Sequence, residues 1–354
     1  MATSNNKLCS MSQEQLAEYL INAGEKKFRV KQIIDWIYRK LESDPRRMDN
    51  LSLPLREKLA TELAANPMQI CRREADDSGT VKLLLRLCDG ESIEMVIIPG
   101  GDGRKTFCLS TQVGCPVQCV FCASGRNGLT RNLQSGEIIE QFLLGCRELG
   151  GVLPDNIVFM GIGEGLLNYD NLILALERLT GEEYFGMSPR RITISSSGYV
   201  PNMLKLADLG REYNFALSLH ATDDECRRRI IPDKIIKYTI AEILAALKYY
   251  ADKVGRIPTL EYTLLSGIND SPRQAAELAA IAKEVHAKIN LIPYNPTVEG
   301  YARPARKVIE EFCRVLNKQH ANYTLRQERG SGVNAACGQL RQQELKDISV
   351  PGKE

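Results

Sequence analysis

The stretch Cys108-Leu-Ser-Thr-Gln-Val-Gly-Cys115-Pro-Val-Gln-Cys119-Val-Phe-Cys122 ends in three cysteines that are separated by three and then two residues. Cys115, Cys119 and Cys122 would lie in one tight loop just after a predicted strand. Thiolates favour zinc or iron–sulfur clusters. A zinc site is closed by a fourth cysteine or histidine, and the nearest histidine in the sequence is His220. Zinc, or plain burial of the thiols, is the alternative to a [4Fe-4S] cluster that keeps one iron free to chelate an amino acid.

Strands alternate with amphipathic helices along most of the chain after residue 105. Strands are predicted at 106–110, 156–160, 191–195, 215–219, 259–264 and 288–292, and helices near 135–149, 169–180, 200–210, 238–251, 271–285 and 304–318. This alternation indicates a parallel sheet, and six units are fewer than the eight of a closed barrel. We therefore predict an α/β fold with an open, partial (βα) barrel of six units. Functional sites of such sheets form at the carboxyl ends of the strands.

The chain before the barrel has a different pattern. Apolar residues recur at three and four positions within 12–64, which predicts helices. Extended segments at 81–87 and 93–98 flank Gly90 and predict a β-hairpin. The predicted division is a helical accessory domain at 1–75, a β-hairpin linker at 76–105, the partial barrel at 106–327 and a C-terminal loop and tail at 328–354.

The spacing C-x3-C-x2-C, with Phe121 before the last cysteine, is typical of the radical S-adenosylmethionine (SAM) enzymes. Gly161-Ile-Gly163-Glu164, after the second predicted strand, resembles the glycine–glutamate motif of those enzymes. Glycine lets backbone approach a ligand closely, and a carboxylate there can hold the SAM ammonium group. Residues at the ends of the next two strands could contact the SAM carboxylate and ribose, although each could equally be a strand-end cap. They are Ser195, Ser218, Leu219 and His220.

Composition points to a protein of the cytoplasm. The 354 residues include 46 Lys+Arg and 44 Asp+Glu, for a net charge of +2, and 11 cysteines. No apolar run approaches the roughly 18 residues that span a bilayer, and the polar N-terminus does not resemble a signal peptide. In a reducing compartment, cysteines serve metal ligation, catalysis or packing rather than disulfides.

Residues 26–58 carry a local excess of positive charge, with ten basic and five acidic side chains. Phe28, Trp36 and Tyr38 lie among them. Basic residues interleaved with aromatics are typical of RNA-binding surfaces. The alternative is a solvated helix face whose aromatics turn inward.

Taken over nearly its whole length, the sequence resembles the RlmN/Cfr family of radical SAM RNA adenine methyltransferases. The matching stretches are Gly24-Glu-Lys-Lys-Phe-Arg29, Cys108-Leu-Ser-Thr-Gln-Val-Gly-Cys115, Phe215-Ala-Leu-Ser-Leu-His-Ala-Thr222, Lys288-Ile-Asn-Leu-Ile-Pro-Tyr-Asn295 and Ala335-Ala-Cys337-Gly-Gln-Leu340. The last stretch is the most diagnostic, because it places a lone cysteine near the C-terminus.

The resemblance implies an activity and roles for individual residues. It implies methyl transfer to C2 of adenine in RNA, namely adenosine 2503 of 23S rRNA and adenosine 37 of some tRNAs. Two SAM molecules are used per turnover. One methylates Cys337, and the other, bound to the [4Fe-4S] cluster, is cleaved reductively to a radical that activates this methyl group. Cys108 then resolves the protein–RNA adduct through a disulfide with Cys337, Glu94 accepts the ring proton and Asn295 contacts SAM. An electron donor such as flavodoxin or ferredoxin is the implied redox partner.

One position departs from the family pattern. The family usually has Gly-Glu-Pro after the second strand, whereas this chain has Gly163-Glu164-Gly165. Glycine loosens a turn that proline would stiffen. Two other functions stay open: a C8-adenine rRNA methyltransferase that confers antibiotic resistance, and an RNA-binding iron–sulfur protein without catalysis.

Overall fold

The computed structural model describes residues 7–64 and 68–326. Three helices form the N-terminal part: α1 (Gln13–Asn22), α2 (Arg29–Tyr38) and α3 (Leu53–Glu62). A capping box fixes the start of α1. The Ser12 side chain accepts a hydrogen bond from the Gln15 backbone N–H, and the Gln15 side chain accepts one from the Ser12 backbone N–H. Gly24 follows α1 with a φ of +77°, a left-handed conformation that favours glycine.

A single ten-stranded sheet forms the centre of the molecule. Its first four strands, β1 (Gln69–Ala75), β2 (Val81–Arg86), β3 (Ser92–Pro99) and β4 (Lys105–Cys108), pair in antiparallel order. The predicted hairpin at 81–87 and 93–98 is therefore present. It does not act as a separate linker, because β3 pairs with the first strand of the barrel and continues the same sheet.

The remaining elements alternate as the sequence predicts. After a short hairpin of β5 (Gln112–Gly114) and β6 (Leu129–Asn132), the chain forms α4 (Ser135–Glu148), β7 (Asn156–Phe159), α5 (Tyr169–Thr180), β8 (Ile192–Ser196), α6 (Val200–Asp208), β9 (Asn214–Ser218), α7 (Asp224–Ile230), α8 (Ile240–Val254), β10 (Thr259–Leu264), α9 (Pro272–Glu284), β11 (Lys288–Pro293), α10 (Arg306–Lys318) and β12 (Tyr323–Leu325).

The strand order confirms the predicted partial barrel and extends it. The sheet runs β1-β2-β3-β4-β7-β8-β9-β10-β11-β12, and β4 pairs with β7 and each later strand with the next in parallel register. Because β12 also pairs in parallel, the structure has a seventh parallel strand beyond the six that were predicted. The sheet remains open, with β1 and β12 at its edges.

Aromatic side chains attach the N-terminal helices to the barrel. The ring of Tyr38 lies 4.8 Å from that of Tyr184 and 5.0 Å from that of Phe185, and Phe185 packs in turn on Phe142 of α4 at 4.5 Å. The buried apolar residues of the N-terminal helices and of the barrel belong to one contiguous cluster. Burying rings of this size is strongly favourable, so the helices are held against the barrel by its own core. No helix in the described ranges is long and apolar enough to cross a membrane.

Candidate active site

The three cysteines lie in a loop that the β5–β6 hairpin closes. The Cys115 N–H donates to the Gly128 carbonyl at 2.9 Å, and the Cys122 N–H donates to the Cys119 carbonyl at 3.0 Å. Gly114 enters the loop with a φ of +77°, and a Cβ at this position would lie 2.0 Å from the Gly128 oxygen. Only glycine fits there, so the sequence before Cys115 fixes where the loop begins.

The thiols of the loop fit an iron–sulfur cluster by their chemistry and their surroundings. Burial raises the pKa of Cys115 to about 12 and that of Cys119 well above its usual value, and repulsion from neighbouring cysteines and from Glu164 adds to both shifts. The charges of Cys115, Cys119 and Cys122 act on one another, so the three thiols share one region. Bound iron would hold such thiols as thiolates. Within 7–64 and 68–326, no set of three or more His, Cys, Asp or Glu side chains converges on a single metal ion. A cluster does not require this, because each thiolate binds a different iron.

Glu164 lies at the end of β7 with one carboxylate oxygen free. Its Oε2 accepts a hydrogen bond from the Ser197 N–H at 2.7 Å, whereas its buried Oε1 has no partner among the described residues. Burial raises the pKa of this carboxyl. Gly163 precedes it with a φ of +113°, and a Cβ there would come within 2.7 Å of Gln112. An unpartnered buried carboxylate oxygen is suited to the ammonium group of an amino acid.

Gly165, where the resembled family usually has proline, does not need to be glycine. Its φ is not positive, and a Cβ there would meet nothing closer than the tip of Leu172 at 3.4 Å. It begins a short 3-10 helix, where proline is favourable, and Glu164 before it is already extended at φ −100° and ψ 104°.

We expect Gly165→Pro to stabilise the protein by about 0.4–1 kcal/mol, because proline restricts the unfolded chain without straining this turn. Chemical denaturation of the variant beside wild type measures this difference. Gly163→Pro is the control, and it should destabilise the protein because proline cannot adopt a φ of +113°. A less stable Gly165→Pro would show that the turn depends on the freedom of glycine.

His220 is held in place by the backbone at the end of β9. It adopts a φ of +57°, its Nδ1 accepts a hydrogen bond from the Thr263 N–H at 3.0 Å, and its carbonyl accepts one from the Asn269 side chain at 2.7 Å. Its ring meets the ring of Phe121 in the cysteine loop edge-on, with 5.1 Å between the centroids. Burial lowers the pKa of His220 to about 3. The imidazole is therefore neutral at physiological pH, and because Nδ1 accepts, its proton is on Nε2.

This lowered pKa predicts a loss of stability at acidic pH. The unfolded His220 takes up a proton below about pH 6.5, whereas the folded one stays neutral to about pH 3. The contribution of neutral His220 to the free energy of unfolding is therefore complete above pH 6.5 and falls by about 1.4 kcal/mol for each pH unit below that. His220→Asn tolerates the left-handed backbone and should remove this slope. Denaturation at pH 7, 6 and 5 measures it, and equal slopes in both proteins would refute the assignment.

Several of the predicted site residues share one face of the sheet. Phe107 packs its ring on Phe142 of α4 at 5.7 Å, so its neighbour Cys108 points to the opposite, inner face. Directly paired residues and residues two apart along a strand point to the same side. Following the pairing from strand to strand, we find that the residues on this inner face include Glu94, Cys108, Ser195, Ser218, Glu261 and Asn290.

Glu94 and Cys108 are neighbours on the inner face. Val96 pairs with Cys108, and Glu94 lies two residues from Val96 along β3. Diagonal neighbours of this kind have Cα atoms about 7–8 Å apart. Glu94 is only 4% exposed, and its Oε1 lies 3.7 Å from the Lys82 Nζ.

The other predicted site residues differ in their position and exposure. Ser195, Ser218 and Leu219 lie at the strand ends around Glu164 and His220, whereas Asn295 follows β11 with an exposed side chain. Cys337 and the predicted segment 328–354 lie outside the described residues.

Three buried polar residues of the site were not predicted. Lys82 and Glu261 are charged residues within apolar strands, and that is the signal that could have found them. Burial raises the pKa of Glu261 to about 7, although the hydrogen bond that Asn290 donates to this carboxyl lowers the pKa. Arg227 is one of three consecutive arginines, and sequence does not distinguish it from the other two.

Both the sequence and the fold of this chain are similar to those of known proteins. Residues 6–64 match the family described as the ribosomal RNA large subunit methyltransferase N-terminal domain, and residues 109–279 match the radical SAM superfamily. "Probable dual-specificity RNA methyltransferase RlmN 3" of Opitutus terrae is 44% identical over 95% of this chain and 94% of its own. An RlmN of Thermotoga maritima with the same description is 40% identical over 97% and 99%. The crystal structure of a radical SAM methyltransferase from Sphaerobacter thermophilus superposes with a TM-score of 0.88 at 39% identity, over 94% of this chain and 98% of that one.

Proposed function

The chain belongs to the RlmN family of radical SAM RNA methyltransferases, and from this premise we propose that it methylates C2 of adenine in RNA through an S-methylated Cys337. The observation that carries the proposal is that Cys108 and Glu94 are diagonal neighbours on the buried inner face of the barrel. A thiol and a carboxylate side by side match the two tasks that remain after the methyl carbon has joined the ring: removing a proton and releasing the enzyme.

The residues that would hold the cofactors lie around the carboxyl ends of the strands. Cys115, Cys119 and Cys122 would hold a [4Fe-4S] cluster, and the free Oε1 of Glu164 would accept hydrogen bonds from the ammonium group of SAM. Ser195, Ser218, the Leu219 backbone, His220 and Asn295 would contact the rest of SAM. When bound, the cluster supplies the electron that cleaves SAM reductively, and SAM supplies the methyl group. His220 would only donate from Nε2, because burial keeps it neutral.

The protein's own groups complete the transfer. We propose that the Cys337 thiolate takes a methyl group from a first SAM molecule and that a second SAM is consumed to activate this methyl group. Glu94 takes the C2 proton once the carbon has bonded to the ring, and the ammonium group of the buried Lys82 lies 3.7 Å from its Oε1. As the ring loses this proton it would also give up one electron, which the cluster would accept. The Cys108 thiolate would then attack the sulfur of Cys337, so that the disulfide forms as the sulfur–carbon bond breaks, and the released carbon, which keeps the bonding electron pair, takes up a proton to become the methyl group.

The N-terminal helices, which match the large-subunit rRNA methyltransferase domain, are the proposed RNA-binding surface. Phe28 is 55% exposed, and the Lys40 ammonium lies 3.6 Å from the ring centre of Trp36. Tyr38, by contrast, is buried against the barrel. The Arg29 guanidinium lies 5.0 Å from the ring centre of Phe28, so two aromatics of the basic stretch lie beside cations and the third lies in the core. Exposed aromatic rings can stack on bases, and cations can contact phosphates.

Lys26 and Lys27 offer the clearest test of this surface, because both are exposed just before α2. If each contacts a phosphate, Lys26→Gln/Lys27→Gln should weaken RNA binding and reduce the slope of log K against log salt by about 2. Lys248→Gln, an exposed position on α8 of the barrel, is the control and should leave the slope unchanged. An unchanged slope in the double variant would place the RNA elsewhere.

The curated relatives are described as dual-specificity RNA methyltransferases. We therefore propose two substrates, 23S rRNA at adenosine 2503 and tRNA at adenosine 37, with the enzyme acting in the cytoplasm and reduced by a flavodoxin or ferredoxin. Mass spectrometry of nucleosides from both RNAs, in a deletion strain with and without this gene, tests the proposal. We expect 2-methyladenosine in both RNAs only when the gene is present. Appearance of 8-methyladenosine would instead show C8 chemistry, and no methylated adenine would refute the proposal.

A further inference from the structure

Arg227 is a buried cation at the edge of the site that none of the proposed steps uses. It lies on α7, just after β9, with 3% of its surface exposed. Its Nη2 donates to the carbonyl oxygen of Ser197 and, at 3.5 Å, to that of Ser218. The guanidinium therefore joins the ends of β8 and β9.

The same residue is connected to both halves of the cofactor site. The Ser197 N–H donates to Glu164, while the Ile230 carbonyl at the end of α7 accepts a hydrogen bond from the Val120 N–H in the cysteine loop at 3.0 Å. The charge of Arg227 acts on the thiol of Cys119 and on the carboxyl of Glu164. The short helix thus anchors the cysteine loop and holds a positive charge beside it.

The charge on Arg227 is not cancelled by its hydrogen bonds. Both go to neutral carbonyl oxygens, and its Nε has no partner among the described residues. Burial lowers its pKa to about 10, so it remains charged at neutral pH. Burying a cation is costly, and the charges that act favourably on Arg227 include those of Cys119, Asp224 and Glu164.

On the premise of the proposed function, we propose that Arg227 is a positioning residue whose fixed positive charge raises the reduction potential of the [4Fe-4S] cluster held by Cys115, Cys119 and Cys122. Reduction adds one electron from an external one-electron donor and no proton, so the core changes from 2+ to 1+ and the cluster with its thiolates gains a negative charge. A nearby cation favours the more negative form, and net charge is one of the properties that set cluster potentials.

Three variants separate charge from geometry. Arg227→Gln removes the charge, Arg227→Lys keeps it without the planar fork, and Arg228→Gln removes an exposed charge from the same helix. Each reconstituted protein is titrated anaerobically without SAM, and the reduced cluster is followed by electron paramagnetic resonance, with iron and sulfide contents as controls. For Arg227→Gln we expect the ratio of reduced to oxidised cluster at a given potential to fall about tenfold, or 59 mV for a one-electron couple. Arg227→Lys and Arg228→Gln should stay within a third of that shift.

Other outcomes would overturn the inference. A wild-type potential in Arg227→Gln would show that the charge does not act on the cluster, and an equal fall in Arg227→Lys would show that the hydrogen bonds matter rather than the charge. If Arg227→Gln does not retain iron, the inference fails, because Arg227 would then be needed to hold the cluster rather than to set its potential. A wild-type protein that holds no [4Fe-4S] cluster would refute the proposed function itself, which none of the variant results can do.

Discussion

Replacing Cys119 with alanine is expected to remove the iron–sulfur cluster and with it all methylation of RNA. Cys119 lies in the middle of the three-cysteine loop, buried among the groups that raise its pKa, and a cluster with two thiolates loses one of its three attachments. The purified variant should be colourless, contain no acid-labile sulfide and form no product. Its thermal unfolding should remain close to that of the wild-type protein without cluster, because the loop is also held by the β5–β6 hairpin and by the Val120–Ile230 hydrogen bond.

Cys226→Ala is the matched control for this substitution. Cys226 is also buried and lies on α7, next to Arg227, but its Sγ hydrogen-bonds to the Ile268 carbonyl and the Gln274 side chain. It should keep its full iron and sulfide content and its activity. A brown, active Cys119→Ala protein would show that the loop does not hold the cluster.

Cys337→Ala and Cys108→Ala are expected to stop turnover at two different points. Without Cys337 no thiolate can accept the methyl group, so this variant should keep its cluster but carry no methyl group from labelled SAM. Without Cys108 the adduct between Cys337 and the RNA cannot be resolved, so this variant should accumulate a covalent protein–RNA species. Denaturing electrophoresis of protein incubated with labelled RNA measures the adduct, and mass spectrometry of tryptic peptides measures S-methylation.

Cys146→Ala provides the control for both. Its side chain is buried in α4, outside the inner face, and its loss should leave both readouts unchanged. Methylated RNA from Cys337→Ala would refute the thiol relay. Turnover by Cys108→Ala without any adduct would remove Cys108 from the mechanism, although the buried position beside Glu94 would then need another explanation.

The architecture was largely predictable because periodicity is a local property of sequence. The strands at 259–264 and 288–292 and the helices between the parallel strands appear close to their predicted positions, since apolar alternation and helical spacing directly reflect which face is buried. The short elements were missed. β12 has three residues and α7 has seven, too few to show a period, and the β5–β6 hairpin is separated by the cysteine loop.

The site was predictable where it follows a strand end and not where it depends on packing. Glu164 and His220 could be placed near the carboxyl ends of the strands because they follow predicted strands, whereas the proposed role of Cys108 comes from the family resemblance alone. The partners that surround them could not be deduced, because they come from distant parts of the chain: the register of β2 against β3 brings Lys82 to Glu94, and the turn after β9 brings Arg227 to the end of β8. Charge within an apolar strand was the available signal for Lys82 and Glu261, whereas Arg227 had none.

The most direct test of this account is to give the reconstituted wild-type protein SAM and dithionite under anaerobic conditions and to measure 5′-deoxyadenosine. The three cysteines and the free oxygen of Glu164 predict a protein that binds about four iron and four sulfide ions and releases 5′-deoxyadenosine and methionine only when the reductant is present. A protein that retains its cluster yet leaves SAM intact, or whose 5′-deoxyadenosine does not depend on Cys119, would contradict it.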